Sequence, residues 1–370
     1  MTALLADVTA AFDRLYPPAL AEDWDAVGLV CGDPDAPVRR VLLAVDPVAA
    51  TVAEALSGSF DLLVTHHPLH LRGTTSVAAD HPKGRAVHDL IGGGCGLFVA
   101  HTNADKAVGG VNDALADLLG LQDIRPLVAD SLLLDKLVVF VPVADADRVR
   151  DAVTAAGAGA LGDYDECTWS TRGTGSFRPL DGSTPSLGEV GSRTQVEEVR
   201  LETVVLRDRR ADVLAALQGA HPYQTPAYDL MALTVPAATG AGRVGDIEPM
   251  LLGDLLARVA ARLPATVGPV RASGDPASVV RRVAVCGGAG GDLMEAAKAA
   301  GAQVLLTADL KHHTASEAPE GLALIDAAHW ATEWPWLERA AQALTRLVEV
   351  EAVVSTLCTD PWTTSRSSGP

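Results

Sequence analysis

Apolar residues recur at helical spacing at Leu5, Val8, Phe12 and Leu15, and Pro17-Pro18 stops the run, so the pattern predicts an amphipathic opening helix. Beyond it, short unbroken apolar runs alternate with helical patterns. Residues 38–45, 62–65 and 97–100 read as buried strands, with helices expected near 48–57 and 82–92. Strands that alternate with helices imply crossover connections, so the pattern predicts an α/β domain with parallel or mixed sheets.

From about residue 130 the rhythm changes. A strand is expected over 132–141, a helix over 145–156, a strand over 199–206, a helix over 209–218 and a strand over 230–235. This β-α-β-β-α-β-like order is that of a small ferredoxin-like α+β domain. Between its halves, Gly173-Thr174-Gly175-Ser176-Phe177-Arg178-Pro179 and the Gly/Ser/Pro-rich stretch to Arg193 read as loop and hairpin. The α/β rhythm resumes near 245, with strands over 283–286, 303–307 and 322–326 and helices near 248–262, 291–300 and 329–344. The pattern thus predicts a discontinuous α/β domain, residues 1–129 plus 237–362, interrupted by an inserted domain at 130–236. The polar tail 363–370 is expected to be disordered.

Composition narrows the function classes. At 370 residues and 48% hydrophobic content the chain can bury a substantial core, and a formal net charge of −18 opposes binding to nucleic acid or an anionic membrane. Five widely spaced cysteines (Cys31, Cys95, Cys167, Cys286, Cys358) without a CxxC pair predict reduced thiols in a cytoplasmic protein and oppose a cysteine-based zinc site. No segment reaches the ~18 apolar residues of a membrane span.

Chemistry-bearing residues gather just after predicted strands. His66-His67-Pro68 follows the second, His101-Thr102-Asn103-Ala104-Asp105 the third, Asp309-Leu310-Lys311-His312-His313 the strand at 303–307, and His329-Trp330-Ala331-Thr332-Glu333 the strand at 322–326. Open parallel sheets bind ligands outside the carboxyl ends of their strands, so these segments are expected to converge. Imidazole nitrogen and carboxylate oxygen suit zinc, iron, manganese or cobalt. His329 and Glu333, four apart, share one face of a helix. The neighbouring side chains of His66 and His67 diverge and suit two ions better than one, with Asp105 able to bridge them. His66, His67, Asp105, His329 and Glu333 are the expected ligands of two divalent ions, while His101, His312 and His313 are candidates to orient ligands or transfer protons.

Two further features carry alternatives. The turn Cys286-Gly287-Gly288-Ala289-Gly290-Gly291 is a phosphate cradle or, better supported without a following Lys-Ser pair, tight strand-to-helix packing. Asp46, after the first buried strand, is a polar group of the site or the N-cap of the next helix.

These motifs, with Trp24-Asp25-Ala26-Val27-Gly28-Leu29, His221-Pro222-Tyr223 and Pro226-Ala227-Tyr228-Asp229, resemble the Nif-three-like dinuclear metal-centre family from about residue 5 to Trp362. Its members are often labelled type 2 GTP cyclohydrolase homologues, and the middle segment is similar to the PII/CutA-like insertion of the longer ones. The resemblance implies the same five metal ligands and a toroidal homohexamer whose metal sites face an internal cavity. It also implies glycine where Ala308 stands before Asp309, a departure that concerns the local turn. The expected activity is metal-dependent hydrolysis of a nucleotide or phosphorylated small molecule through metal-activated water. The alternative is a metal-binding regulator or scaffold whose inserted domain senses a ligand or partner. Nothing in the sequence identifies a guanine pocket.

Overall fold

Runs with no polar interruption become strands covered on both faces: every residue of Leu62–Thr65 and of Gly96–Val99 is buried in the computed structural model, which describes residues 2–366. They lie in a five-stranded sheet of order Glu351–Val354, Arg40–Ala44, Leu62–Thr65, Gly96–Val99, Gly28–Cys31. The first four are parallel and the last is antiparallel to its neighbour. A second sheet places Ala323–Ala327 beside Val304–Ala308 and that beside Val279–Ala289, all parallel, with Arg271–Ala272 and Tyr228–Leu251 antiparallel at either side. The protein is therefore mixed α/β. The first sheet and the strands Arg271–Ala272, Val279–Ala289, Val304–Ala308 and Ala323–Ala327 of the second belong to one compact unit, Met1–Asp130 with Ala238–Pro370; Ser131–Ala237 forms a second unit, which holds the strands Thr168–Phe177 and Thr194–Leu206 of the second sheet.

Alternation along the strands divides the first unit's apolar residues between layers. Val41, Leu43, Val64 and Phe98 of one sheet share a core with Val283, Val285, Val304, Leu306 and Ile325 of the other, together with residues of helices Leu5–Leu15, Val111–Leu119, Leu252–Arg262 and Pro335–Leu347. The opposite faces pack on other helices: Leu42, Leu63 and Leu97 against Ala49–Ser57 and Pro82–Gly92, and Ala284 and Leu305 against Met294–Ala299. Arg243, only 1% exposed, is fully engaged. Its guanidinium binds the Asp113 carboxylate and the carbonyls of Gly240, Gly242, Lys106 and Ala107, fixing the end of the helix Thr102–Lys106 that carries Asp105.

Several elements differ from the sequence pattern. The helix expected over 248–262 starts at Leu252, because Met250 and Leu251 still pair with Val280 and Val279 past a bulge. The helix expected over 329–344 is two, His329–Glu333 and Pro335–Leu347, since Pro335 has no N–H to continue the ladder. The first buried strand divides into Pro37–Val38 and Arg40–Ala44. Residues 363–366 have no regular structure, though Ser365 Oγ donates to the Val267 carbonyl at 3.1 Å; the rest of the expected disordered tail lies outside the described residues.

The second unit runs strand, helix Ala146–Ala155, strands Thr168–Phe177 and Thr194–Leu206, helix Arg210–Ala220, strand; its first and last strands are parts of Gln122–Pro142 and Tyr228–Leu251. Leu137, Val139, Val141, Leu201 and Val205 face Val149, Val153, Val213 and Leu217 of the two helices. Thr168–Phe177 corrects the reading of Gly173 to Phe177 as loop: it pairs antiparallel with Thr194–Leu206 from Thr168↔Thr203 to Phe177↔Thr194. Its residues are mostly exposed on both faces, so no alternation announced it. Among the described residues, no helix is long and apolar enough to cross a membrane, and all five cysteines are free.

Candidate metal centre

Two histidines follow the buried strand Leu62–Thr65, and the backbone extends the ladder through them, with His66 and His67 N–H donating to the carbonyls of Ala44 and Val45. Thr65 Oγ1 donates to the His67 carbonyl at 2.8 Å and turns the chain. His66 is fully buried; its Nδ1–H donates to the Ala100 carbonyl at 3.0 Å and its ring meets the edge of Trp336 at 5.5 Å. The other rings are held by carboxylates. His67 Nδ1 lies 2.7 Å from Asp46 Oδ1, His329 Nδ1 2.7 Å from Asp309 Oδ2, and His101 Nδ1 2.8 Å from Asp25 Oδ1. An acceptor at each Nδ1 puts the proton there and leaves Nε2 as the lone-pair atom, the arrangement that prepares imidazole for metal ligation.

Those Nε2 atoms converge. His67 Nε2 and His329 Nε2 are 3.2 Å apart, and Glu333 lies between the rings, with Oε1 2.8 Å from His329 Nε2 and 3.5 Å from His66 Nε2, and Oε2 3.2 Å from His67 Nε2. Asp105 Oδ1 is 3.7 Å from His66 Nε2. The donor set fits a divalent cation. Two lone-pair nitrogens face each other, and His66 Nε2, Asp105 Oδ1 and Glu333 Oε2 are buried without a hydrogen-bond partner, a costly arrangement unless a cation satisfies them. Two groups have ligand atoms within 4.8 Å of one another: His66, His67 and His101; and His67, His329 and Glu333.

Without a cation, the same carboxylates draw protons to the positions a cation would take. Burial pushes the His67 and His329 imidazoles towards neutrality, but the Glu333 carboxylate overcomes this and raises them to about 11 and about 9. Burial likewise raises the Glu333 carboxyl, yet the imidazoles of His67 and His66 hold it well below its usual range. Asp105 is raised by burial, only partly offset by His66. The cluster is thus a sink for positive charge.

Local structure explains the precision of the cluster. The short helix His329–Glu333 places His329 and Glu333 on one face, and Thr332 Oγ1 between them accepts the Gly288 N–H at 2.9 Å. Gly288 has φ +62°, and a Cβ there would lie 2.5 Å from Glu333 Oε1 and 2.9 Å from His329 Nε2. The glycine-rich turn therefore clears room for the cluster. It packs as tight strand-to-helix geometry: the N–H groups of Gly287, Gly288 and Gly290 are taken by Asn112, Thr332 and Thr307 side chains. Asp309 adopts φ +57°, so the left-handed turn falls on Asp309, while Ala308 still belongs to the strand Val304–Ala308.

His101 joins the group, its ring 5.1 Å from His66 and 5.5 Å from His67. His312 and His313 do not: both are exposed at the start of the helix His312–Ser316, and their rings meet each other at 5.3 Å. Asp46 is a polar group of the site and not a cap, since Val48 occupies the N-cap position of Ala49–Ser57. Asp25 was missed as a ring-holding group. Burial raises its carboxyl, but hydrogen bonds from His101 and Thr102 outweigh this and hold it well below its usual value. It stands in the Trp24–Leu29 motif, but its pairing with His101 is not readable from local spacing. A cavity of about 680 Å³ opens on His67 and His329, lined also by Arg271, Asp326, Trp330 and Trp362.

Comparison with known proteins places this geometry in context. Residues 3–361 match the model of the family described as Duf34/NIF3 (NGG1p interacting factor 3). A Mycobacterium tuberculosis protein named GTP cyclohydrolase 1 type 2 homolog is 48% identical over 380 residues, covering 100% of this chain and 99% of that one. A Bacillus subtilis protein of the same name is 39% identical over 326 residues, 86% of each chain. Among solved structures, a Bacillus cereus protein related to NIF3 is 35% identical, with TM-score 0.75 over 99% of this chain and 100% of that one. A Staphylococcus aureus protein, 27% identical, superposes with TM-score 0.84 over 98% and 99% of the two chains.

Proposed function

The chain belongs to the Duf34/NIF3 family, and from that premise we propose that it binds two divalent metal ions through His66, His67, Asp105, His329 and Glu333 and hydrolyses a nucleotide or phosphorylated small molecule. The observation that carries this reading is the set of Nδ1-anchored imidazoles whose Nε2 atoms meet the buried Glu333 carboxylate and the buried Oδ1 of Asp105, with Glu333 Oε2 and Asp105 Oδ1 lacking a hydrogen-bond partner. Three imidazoles against Glu333, with Asp105 beside His66, offer more donor atoms than one tetrahedral ion uses while leaving positions for water and substrate. Zinc, iron, manganese and cobalt all suit nitrogen and oxygen donors of this kind.

Bound divalent ions would supply a neutral-pH nucleophile and electrophilic stabilisation of developing negative charge. The protein's own part is orientation and proton handling. Asp46, Asp309 and Asp25 fix the rings of His67, His329 and His101. Of the non-ligand histidines, His101 is held against the cluster and suits transfer of a proton to the leaving group; His312 and His313 could act only if substrate extends over their exposed helix. The cavity beside His67 and His329 is large enough for a nucleotide-sized molecule, with Trp330, Trp362 and the Arg271–Asp326 ion pair in its lining. The cyclohydrolase name of the relatives makes GTP the first substrate to try, with formate release as the readout.

The inserted unit, residues 130–236 in a chain otherwise forming the metal domain, we read as ferredoxin-like and of PII/CutA type, and the assembly as a cytoplasmic homohexamer. A second reading, a metal-binding regulator, is favoured by a cavity within the inserted unit itself. Elemental analysis of protein purified without chelator, followed by metabolite screening of the loaded form, tests the proposal. Two equivalents of transition metal per chain and metal-dependent turnover are expected. One equivalent, unchanged in Asp105→Ala and Glu333→Ala, would refute the dinuclear site, and two equivalents without turnover over a broad panel would favour the regulator.

A further inference from the structure

We propose that the second unit carries a binding site for a small planar cation with paired N–H donors, such as an amidine or a protonated amino-heterocycle, recognised by Glu198. The site is a cavity of about 570 Å³ lined only by residues of that unit. It lies on the face of the sheet turned away from the helices. Leu201 and Val205 of the strand Thr194–Leu206 enter the apolar core, so by alternation Glu198, Arg200 and Glu202 point to the other side.

On that side the charges are unevenly satisfied. Lys136 Nζ is 2.5 Å from Glu202 and Arg200 Nε donates to the same carboxylate at 2.8 Å, so both cations are committed to Glu202. Glu198 is only 8% exposed, yet among the described residues it has no cationic partner. Its Oε1 accepts the Tyr223 hydroxyl at 2.9 Å. Its Oε2 lies over Gly175, where a Cβ would come within 2.0 Å, so a side chain at 175 would displace the carboxylate. A mostly buried carboxylate that holds one neutral donor and lines the cavity is completed there by a cation that also donates hydrogen bonds.

The walls select shape. The Tyr223 and Phe177 rings meet edge to face at 5.5 Å, and Phe140 adds a third aromatic surface already covered by the Arg200 guanidinium at 5.8 Å. Flat rings favour a flat ligand, and the π-faces add attraction for positive charge. An anionic ligand would meet Glu198 directly and is disfavoured at that end of the cavity, although Arg172 and Arg200 also stand in its lining. The site is independent of the metal cluster, so its failure and that of the metal-dependent reading are separately observable.

Benzamidine, a flat ring with two parallel N–H donors, is the probe, and benzoate, of the same shape and opposite charge, is the control. Calorimetric titration of the full chain should show one benzamidine bound per chain and no benzoate. Glu198→Gln should weaken benzamidine by about tenfold or more, the scale of a lost charge-assisted hydrogen bond. Should Glu198→Gln fail to fold, Gly173→Leu serves instead: Gly173 pairs with Glu198 in the ladder and has open space where its side chain would project, so leucine fills the cavity and should abolish binding with Glu198 intact. No benzamidine binding to the wild type, equal affinity for benzoate, or undiminished binding in the variants would each overturn the site.

Discussion

Replacing Gly288 by alanine should damage the metal cluster, because among the glycines it is the one whose added Cβ would come closest to Glu333 and His329. The residue holds φ +62°, a region that costs an ordinary side chain about 1–2 kcal/mol. The new Cβ would lie 2.5 Å from Glu333 Oε1 and 2.9 Å from His329 Nε2, so one or both must move. Glu333 is 3% exposed and has nowhere open to go, which adds about 1–3 kcal/mol of overpacking. The expected loss of stability is therefore roughly 2–5 kcal/mol, read by denaturant titration of the chelated protein. Metal affinity should fall by at least about 10–100-fold, the range seen when ligand geometry is disturbed from outside the coordination shell. Competition with a chromophoric chelator measures it. Gly92→Ala, where no atom lies within 4 Å of the added carbon, controls for the substitution itself. Wild-type affinity for both equivalents in Gly288→Ala would show that His329 and Glu333 do not ligate, and the proposed centre would fall.

Other outcomes follow from the same geometry. Asp46→Ala, which frees the His67 ring, should lower metal affinity about 10–100-fold without unfolding the chain, measured by the same competition; no change would mean that Asp46 does not orient a ligand. Asp113→Ala leaves the Arg243 guanidinium buried without its carboxylate and should cost about 3–5 kcal/mol in chemical denaturation, whereas a loss below about 1 kcal/mol would show that the carbonyls suffice. Stripping metal should lower the thermal midpoint, since ions at a hundredfold excess over Kd contribute about 2.7 kcal/mol; an unchanged midpoint would count against ligation in the folded state. In the second unit, His221 Nε2–H donates to the Phe140 carbonyl at 2.9 Å while Nδ1 accepts the Tyr223 N–H at 3.0 Å, so a second ring proton has no place. Burial lowers the His221 pKa; its stabilisation is complete above the usual histidine value and is lost as pH falls below it. Melting of the wild type between pH 7.5 and 5.5 should show this decline, and His221→Gln should flatten it.

The parts legible in the sequence are those set by local pattern. Unbroken apolar runs mark Leu62–Thr65 and Gly96–Val99, and histidines just beyond such runs stand at the carboxyl ends where parallel strands gather ligands. The i, i+4 spacing of His329 and Glu333 needed only a helical turn. What escaped depends on distant partners. Asp25 reaches His101 from 76 residues away, and Asp309 reaches His329 through a left-handed turn at a non-glycine residue. Thr168–Phe177 is a strand because Thr194–Leu206 pairs with it, and its threonines and glycines show no buried face of their own. The glycine-rich turn was visible, but whether its N–H groups were free or taken depended on Asn112, Thr307 and Thr332.

His67 and His329 touch across 262 residues of chain, with the whole second unit encoded between them. During synthesis at about 5–20 residues per second, His66, His67 and Asp105 emerge on the order of 10–50 s before His329 and Glu333 exist. The early segment can offer two imidazoles and a carboxylate, a chelate of modest strength, but not the full cluster. Assembly of the full cluster is thereby deferred until the segment carrying His329 and Glu333 has been made, and a chain truncated anywhere before residue 329 is denied it.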